Sequence, residues 1–307
     1  MYSSNKFINP RNLISILFFI ILVLIIFLKG KEVYQKIIAI KPGWLFAGML
    51  CYYINYVFRG IRIHNLSDRI IRKWPNAIRI SMLHGFLSYM LPLRTGDMSL
   101  PFLIKTESDL KISDGTILLA RARLLDLIAL GIFTLLAAFL GTINISQSLK
   151  IVWIILGFMM IFSYSAVRII SKLSTPITSG ILKKILLLGH FPPLQIYDLV
   201  LSFFIWTFVG VCLFCTVKAI GLNISFWEVW IVISIQLPLQ FIPIQGIANA
   251  GNHEGGWVAS LSLLGLSTAE SLNFAIVSHA VLFSYVLMLS LPLLLINIFF
   301  MKENKPV

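Results

Sequence analysis

Long apolar runs recur from one end of this chain to the other, and no other feature constrains its fold as tightly. Leu13 to Leu28, Trp44 to Phe58, Leu124 to Leu140, Ile151 to Val167, Leu199 to Val217 and Ala275 to Phe300 are almost free of charge. With their flanks, each is long enough to cross a hydrocarbon core as a helix rising about 1.5 Å per residue. The composition agrees, with 58% hydrophobic and 12% charged residues and a mean hydropathy of +0.92. A water-soluble fold cannot hide that much apolar surface. The polar intervals reach only about 20 to 30 residues, too short for an independent soluble core. All 307 residues are therefore expected to form one membrane domain, an all-α polytopic membrane protein.

Lys and Arg number 25 against 12 acidic residues, and in such a chain that excess reports orientation and contact with anionic headgroups; nucleic acid is not an expected partner. With the N-terminus inside, the cytoplasmic side receives Lys6 and Arg11, the bases from Arg59 to Arg79, Lys105, Lys111, Arg168 to Lys184, and Lys302 with Lys305. Both termini are then cytoplasmic. The misfit is the 29–42 loop, whose mixture of charged and apolar residues suits an interfacial helix. The first run ends in Lys29-Gly30-Lys31 instead of a cleavage site, so it is expected to stay as a span. Arg59 to Arg79 and Ser171 to Tyr197 both read as amphipathic segments on the inner leaflet, the first with Trp74 at the interface.

Two apolar segments, Ile78 to Leu91 and Phe226 to Ile242, end at prolines. Pieces too short to span follow them, Pro101 to Ile104 and Trp257 to Leu266. Each pair predicts a re-entrant hairpin or broken helix whose tip is buried in protein or lines a cavity. The expectation is six full spans plus two such pairs, about eight helices by conventional count. Each half then reads span, hairpin, span, over residues 43–140 and 199–300, with the span 151–167 between them. An odd intervening crossing inverts the second unit, the plan of many secondary transporters, where broken helices mark the transport site.

Arg94, Asp97, Arg121, Arg123 and Asp126 form a dense charged group near predicted spans, where ionisable residues need partners, water or an interfacial position. Arg123 and Asp126, three apart on a helix, can pair. Arg121 lies roughly 200° around the helix from Arg123 and is left with Asp97 or a substrate phosphate, for which a guanidinium fork is suited. Both arginines also fit a plain role as positive-inside anchors. Thr95-Gly96-Asp97, after Pro92, can open a half-helix whose N–H groups face an anion, or form an ordinary proline-glycine turn. Around the second break no Lys or Arg lies between Lys218 and Lys302, while Glu228, Glu254 and Glu270 are present. Glu254 can handle a cation or proton, or bond the loop backbone.

Cys51, Cys212 and Cys215 lie in apolar runs and are expected to pack as small hydrophobes. His253-Glu254 lacks the second histidine of a zinc motif, so no metal is expected there, and no cofactor anywhere. His84 and His279 can relay protons or simply bond within the helix bundle. No nucleophile is paired with a base, and the chain is not expected to be an enzyme.

Pro92-Leu93-Arg94-Thr95-Gly96-Asp97 followed by Arg121-Ala122-Arg123-Leu124-Leu125-Asp126 resembles the transmembrane region of the lysylphosphatidylglycerol synthase and flippase-like family. Pro243-Ile244-Gln245-Gly246 leading to Glu254, with Leu264-Gly265-Leu266-Ser267 beyond, resembles that family's second element. Asp97 stands where Glu is usual, residues 247–252 lengthen the glycine-rich element, and Ser278-His279 occupies a region where an arginine is expected. The family's soluble aminoacyl-transfer domain has no counterpart in these residues, so the resemblance implies the lipid-handling half. It implies a translocase for an anionic phospholipid or polyprenyl-linked glycolipid in a bacterial or archaeal cell membrane. Its site would comprise Arg94, Thr95, Gly96, Asp97, Arg121, Arg123, Asp126, Gly246 and Glu254. The alternative is a non-transporting subunit that binds lipid and regulates or recruits a biosynthetic enzyme.

Overall fold

The computed structural model describes residues 30–141, 147–173, 194–239 and 245–289, with Leu24 and residues 292–293 besides. Side chains at 94, 171–173 and 237–239 are outside that description. The run Leu13 to Leu28, Leu24 apart, lies outside the described residues. So do both termini, residues 174–193 of the second basic interval, Pro243 with Ile244, and the end of the last apolar run.

The described residues form helices joined by short turns, with no strand among them, as the apolar runs require. They form α1 (Gly30–Ile38), α2 (Pro42–Leu66), α3 (Trp74–Met90), α4 (Ser99–Glu107), α5 (Ile112–Leu140), α6 (Gln147–Leu173), α7 (Ile196–Ile220), α8 (Phe226–Leu239), α9 (Asn252–Leu263) and α10 (Thr268–Met288). Among them α5, α6, α7 and α10 are long and apolar enough to cross a membrane, and α1 with α2 makes a fifth candidate bent by 88°. Pro42 starts α2, where a missing N–H costs nothing. Gly30–Ile38 of the 29–42 stretch, expected as an interfacial segment, is helical as α1, and a short turn joins it to α2.

Contacts divide the chain into two units. Unit 2 comprises Ile54–Ser81 and Leu100–Val209. Its core joins Ile63, Leu66, Ile71, Ile80, Ile104 and Leu125. Small residues let its helices approach: a Cβ on Gly60 would stand 2.5 Å from Ile78 Cα, and one on Gly131 2.7 Å from the Gly157 carbonyl. Such small-residue contacts suit helices in lipid, where water does not drive association. Helix α6 is the most outward-facing, with 22% of its apolar window buried and Val152, Ile155, Met159 and Phe162 exposed. An exposed apolar face of this length is stable in hydrocarbon and not in water.

Unit 1 comprises Met1–Tyr53, Met82–Ser99 and Gly210–Val307. Trp257 of α9 packs on Phe274 of α10 with ring centroids 4.7 Å apart. Cys212 joins Val281 and Tyr285 in an apolar cluster with Cys51 at its edge, the packing role expected of these thiols. Tyr285 reaches from α10 to donate its hydroxyl to the Leu45 carbonyl at 2.7 Å.

One expectation changes here. Residues 59–79 are not one amphipathic helix on a membrane surface. Helix α2 runs on to Leu66 and a turn follows, with Asp68 and Arg69 left-handed at φ 51° and 61°. Trp74 then begins α3. Arg62, counted among the surface bases, is only 3% exposed, because a buried carboxylate holds it.

Candidate functional site

The predicted site residues fall into two groups, one in each unit. In unit 2, Asp126 sits on the buried face of α5. Arg62 of α2 grips it with Nη1 on Oδ1 at 2.6 Å and Nη2 on Oδ2 at 3.3 Å. Trp206 of α7 donates its indole N–H to Oδ1 at 3.0 Å, and Arg62 Nη1 also donates to Ser202 Oγ at 2.7 Å. This two-pronged grip is the geometry a guanidinium fork favours. A buried ion pair repays its desolvation only when further hydrogen bonds satisfy it; Trp206 and Ser202 each supply one, while Arg62 Nε is buried without a partner among the described residues. Arg123, predicted to pair with Asp126, lies 4.0 Å from Oδ2 with its side chain 44% exposed. The main partner is therefore Arg62. Arg121 donates to the Leu66 carbonyl at 3.4 Å.

Beside this cluster the start of α7 buries Asp198, which accepts from Asn65 Nδ2 at 2.5 Å. Asn65 also lines a cavity of about 540 Å³ with Ile61, His64, Arg69, Arg72, Gln195 and Tyr197. Arg69 and Arg72 are exposed. His64 Nδ1 meets the Ile71 carbonyl at 2.7 Å, which ties the turn carrying both arginines back onto α2. The volume is that of a small-molecule or headgroup pocket, and its charge favours an anion.

In unit 1 the two breaks meet. Pro92 has no N–H to continue α3, so the carbonyls at its end need other donors. Gln245, just before the second break's polar turn, supplies them: its Nε2 faces the carbonyls of Ser88, Tyr89 and Leu91 at 3.2, 3.3 and 3.5 Å. In return the Leu93 N–H donates to the Gln245 carbonyl at 2.8 Å, with Leu93 left-handed at φ 57°. In a membrane, non-helical backbone persists only when its polar groups are satisfied in this way. Thr95, Gly96 and Asp97 do not open a half-helix. They lie inside a 3-10 helix, Pro92–Met98, that leads into α4. Thr95 Oγ1 donates to the Pro92 carbonyl at 2.8 Å, and a Cβ on Gly96 would stand 2.5 Å from Ser88 Cα. Ser88 Oγ donates to Asp97 at 3.4 Å. Arg94 is on this 3-10 helix.

The second break continues through Gly246, whose N–H donates to the Ala250 carbonyl at 3.0 Å. Ala248 and Asn249 follow, both left-handed at φ 53° and 63°. Such residues cost on the order of 1 kcal/mol or more each and persist only when their surroundings hold them. Glu254, in the first turn of α9, accepts the Gly251 N–H at 2.8 Å and pairs through its other oxygen with His279 Nδ1 of α10. His279 Nε2 meets the Ala248 carbonyl at 2.8 Å. His253 lies beside it with ring centroids 4.8 Å apart and the rings tilted by 41°, its Nε2 3.0 Å from Ser278 Oγ. Tyr89 sets its ring edge-on to His279 at 6.1 Å, and its buried hydroxyl has no hydrogen-bond partner among the described residues.

Arg62, Asp198, Trp206, Gln245 and Tyr89 are missing from the predicted site, and His279 stands outside it as a histidine that either relays protons or bonds within the helix bundle. Asp198 alone carries a signal, as an acid at the start of an otherwise apolar helix; the others acquire their roles from partners distant in sequence.

The profile of the family described as lysylphosphatidylglycerol synthase TM region matches residues 12–290 of the chain. Among curated proteins none matches it.

Proposed function

The chain belongs to the lysylphosphatidylglycerol synthase TM region family, and on that premise we propose that it moves an anionic phospholipid or a polyprenyl-linked glycolipid between membrane leaflets. One observation carries the reading: the broken segments cap each other through Gln245, which supplies donors to the end of α3 and accepts the Leu93 N–H. Broken helices held by reciprocal bonds are the working parts of secondary transporters. The repeats 43–140 and 199–300, inverted about the span 151–167, then rock around these breaks to give alternating access.

Headgroup recognition belongs to the arginines. In this reading Arg69 and Arg72 draw the phosphate into the cavity of unit 2, and Arg121 and Arg123 on α5 of the same unit receive it afterwards. Arg62 and Trp206 already hold Asp126, so its part is to fix the helix that carries Arg121 and Arg123.

Reconstitution of the full chain into phosphatidylethanolamine and phosphatidylglycerol vesicles tests this, with leaflet exchange of fluorescent phosphatidylglycerol as the readout. The expected result is exchange well above protein-free vesicles, reduced roughly thirtyfold by Arg69→Ala with Arg72→Ala, since each basic residue near a surface contributes about 1 kcal/mol toward anionic lipid. Binding of the labelled lipid without exchange would instead identify a non-transporting subunit that serves a biosynthetic enzyme.

A further inference from the structure

The hydrogen bonds of His279 fix a proton count. Among the described residues its Nε2 faces only the Ala248 carbonyl, an acceptor, so that nitrogen must carry a proton. Its Nδ1 faces a Glu254 carboxyl oxygen. If Nδ1 also carries a proton, the ring is an imidazolium paired with a carboxylate; if it does not, the carboxyl must be protonated to donate to it. In either arrangement the pair holds one proton more than a neutral histidine beside an ionised glutamate. The other Glu254 oxygen accepts from the Gly251 N–H, which leaves the proton on the side of His279.

The neighbours do not supply that proton. Ser278 spends its hydroxyl hydrogen on the Ala275 carbonyl, so His253 must donate from Nε2 to Ser278 Oγ. Tyr89 on α3 shows an edge to the ring. On the first break, Asp97 accepts from Ser88. On α8 the acid, Glu228, is engaged with the Ser225 N–H at the helix start.

We propose that Glu254 and His279 form a proton-binding latch that holds the second broken segment closed and frees it when the proton leaves to water. With the proton gone, Nδ1–H can still bond the carboxylate, but a bare Nε2 then faces the Ala248 carbonyl, lone pair against lone pair. One of the contacts that hold the left-handed turn at Ala248 and Asn249 is lost, and Gln245, three residues earlier, links that turn to the first break. The link to transport rests on the reading of these segments as the moving parts of a lipid translocase; the latch itself does not.

Hydrogen–deuterium exchange of residues 246–251, in the full chain in phosphatidylglycerol vesicles across pH 6 to 9, tests the latch against Glu254→Gln. A glutamine amide donates to Nδ1 of a neutral ring that keeps Nε2–H on Ala248, so this variant imitates the protonated pair. Taking the ratio of wild type to variant at each pH cancels the intrinsic rise of exchange with pH. The expected result is a ratio near one at low pH that climbs by up to tenfold per unit while the proton is being released and levels off once release is complete, the behaviour of a one-proton linkage. A ratio that stays flat across the range overturns the latch. As a check that needs no variant, nitrogen-15 spectra of histidine-labelled wild type at pH 7, read with the carboxylic-acid infrared band, must show either a doubly protonated His279 or a protonated Glu254. Neutral His279 beside ionised Glu254 also overturns it. Lipid exchange over the same pH range separates the two proposals. Absence of exchange at every pH removes the translocase and leaves the latch to be judged by these measurements, whereas pH-dependent exchange unchanged by Glu254→Gln removes the latch alone.

Discussion

Unit 2 and unit 1 both bury an ionised or proton-sharing carboxyl, yet they surround it differently. Asp126 is held from two other helices at once, by both Nη atoms of Arg62 on α2 and by Trp206 on α7, and Ser202 anchors the same guanidinium. Glu254 is held by one imidazole and one backbone N–H of its own turn, and the histidine's second bond goes to a left-handed loop. An arginine does not give up its charge, whereas an imidazole can hand a proton on. The first arrangement is built to stay closed, and the second, on the proposed latch, opens when one proton leaves.

The largest test of this contrast is Asp126→Ala. It leaves the Arg62 guanidinium buried and uncompensated, and breaking a buried pair in that way costs about 3 to 5 kcal/mol. Thermal unfolding of the purified chain in detergent is expected to show a large fall in midpoint or a failure to accumulate folded protein. Stability close to wild type would mean that Asp126 is no clamp, and the contrast between the units would fall with it.

Gln245→Leu should cost less, about 1 to 3 kcal/mol, because it removes the donor from three carbonyls at the end of α3 and leaves them in an apolar setting. The backbone carbonyl of residue 245 is still there to receive the Leu93 N–H, so the break loosens without falling apart. Hydrogen–deuterium exchange should rise in residues 88–98 and 245–251 and stay unchanged in α5. Equal protection in both regions would show that the breaks are held by something other than Gln245.

Much of the helical framework is legible in the sequence because the apolar runs are long and sharply bounded. Trp44 to Phe58 is the centre of α2, and Ile151 to Val167 the centre of α6. Both breaks could be placed from Pro92 and from the polar stretch after Phe226 to Ile242, since proline removes the donor a helix needs. The interior of the site was harder to read. Arg62 is one of several bases in a row, and its carboxylate lies 64 residues away, so local spacing suggested a surface residue. Nothing near Gln245 in the sequence identifies it as a cap, because the carbonyls it serves are more than 150 residues earlier. Thr95-Gly96-Asp97 was legible as a special turn but not as a 3-10 helix, where Gly96 is required by the approach of Ser88. Spacing within one helix identified Arg123 as a partner of Asp126, but the rank of that partner depended on a residue from another helix.

That ranking gives the smallest effect. Arg123→Ala removes a guanidinium 4.0 Å from Asp126 with its side chain 44% exposed, and an exposed pair of this kind contributes about 0 to 1 kcal/mol. Its unfolding midpoint should lie within about a degree or two of wild type on that scale, far from the fall expected for Asp126→Ala. Lipid exchange is the more informative readout for this variant. If Arg123 receives the headgroup phosphate, exchange of fluorescent phosphatidylglycerol drops while stability holds, and Arg123→Lys, which keeps the charge but loses the planar fork, recovers part of it. Should exchange and stability both stay at wild-type values, Arg123 is an orienting charge at the helix entrance, and headgroup recognition falls to the remaining arginines.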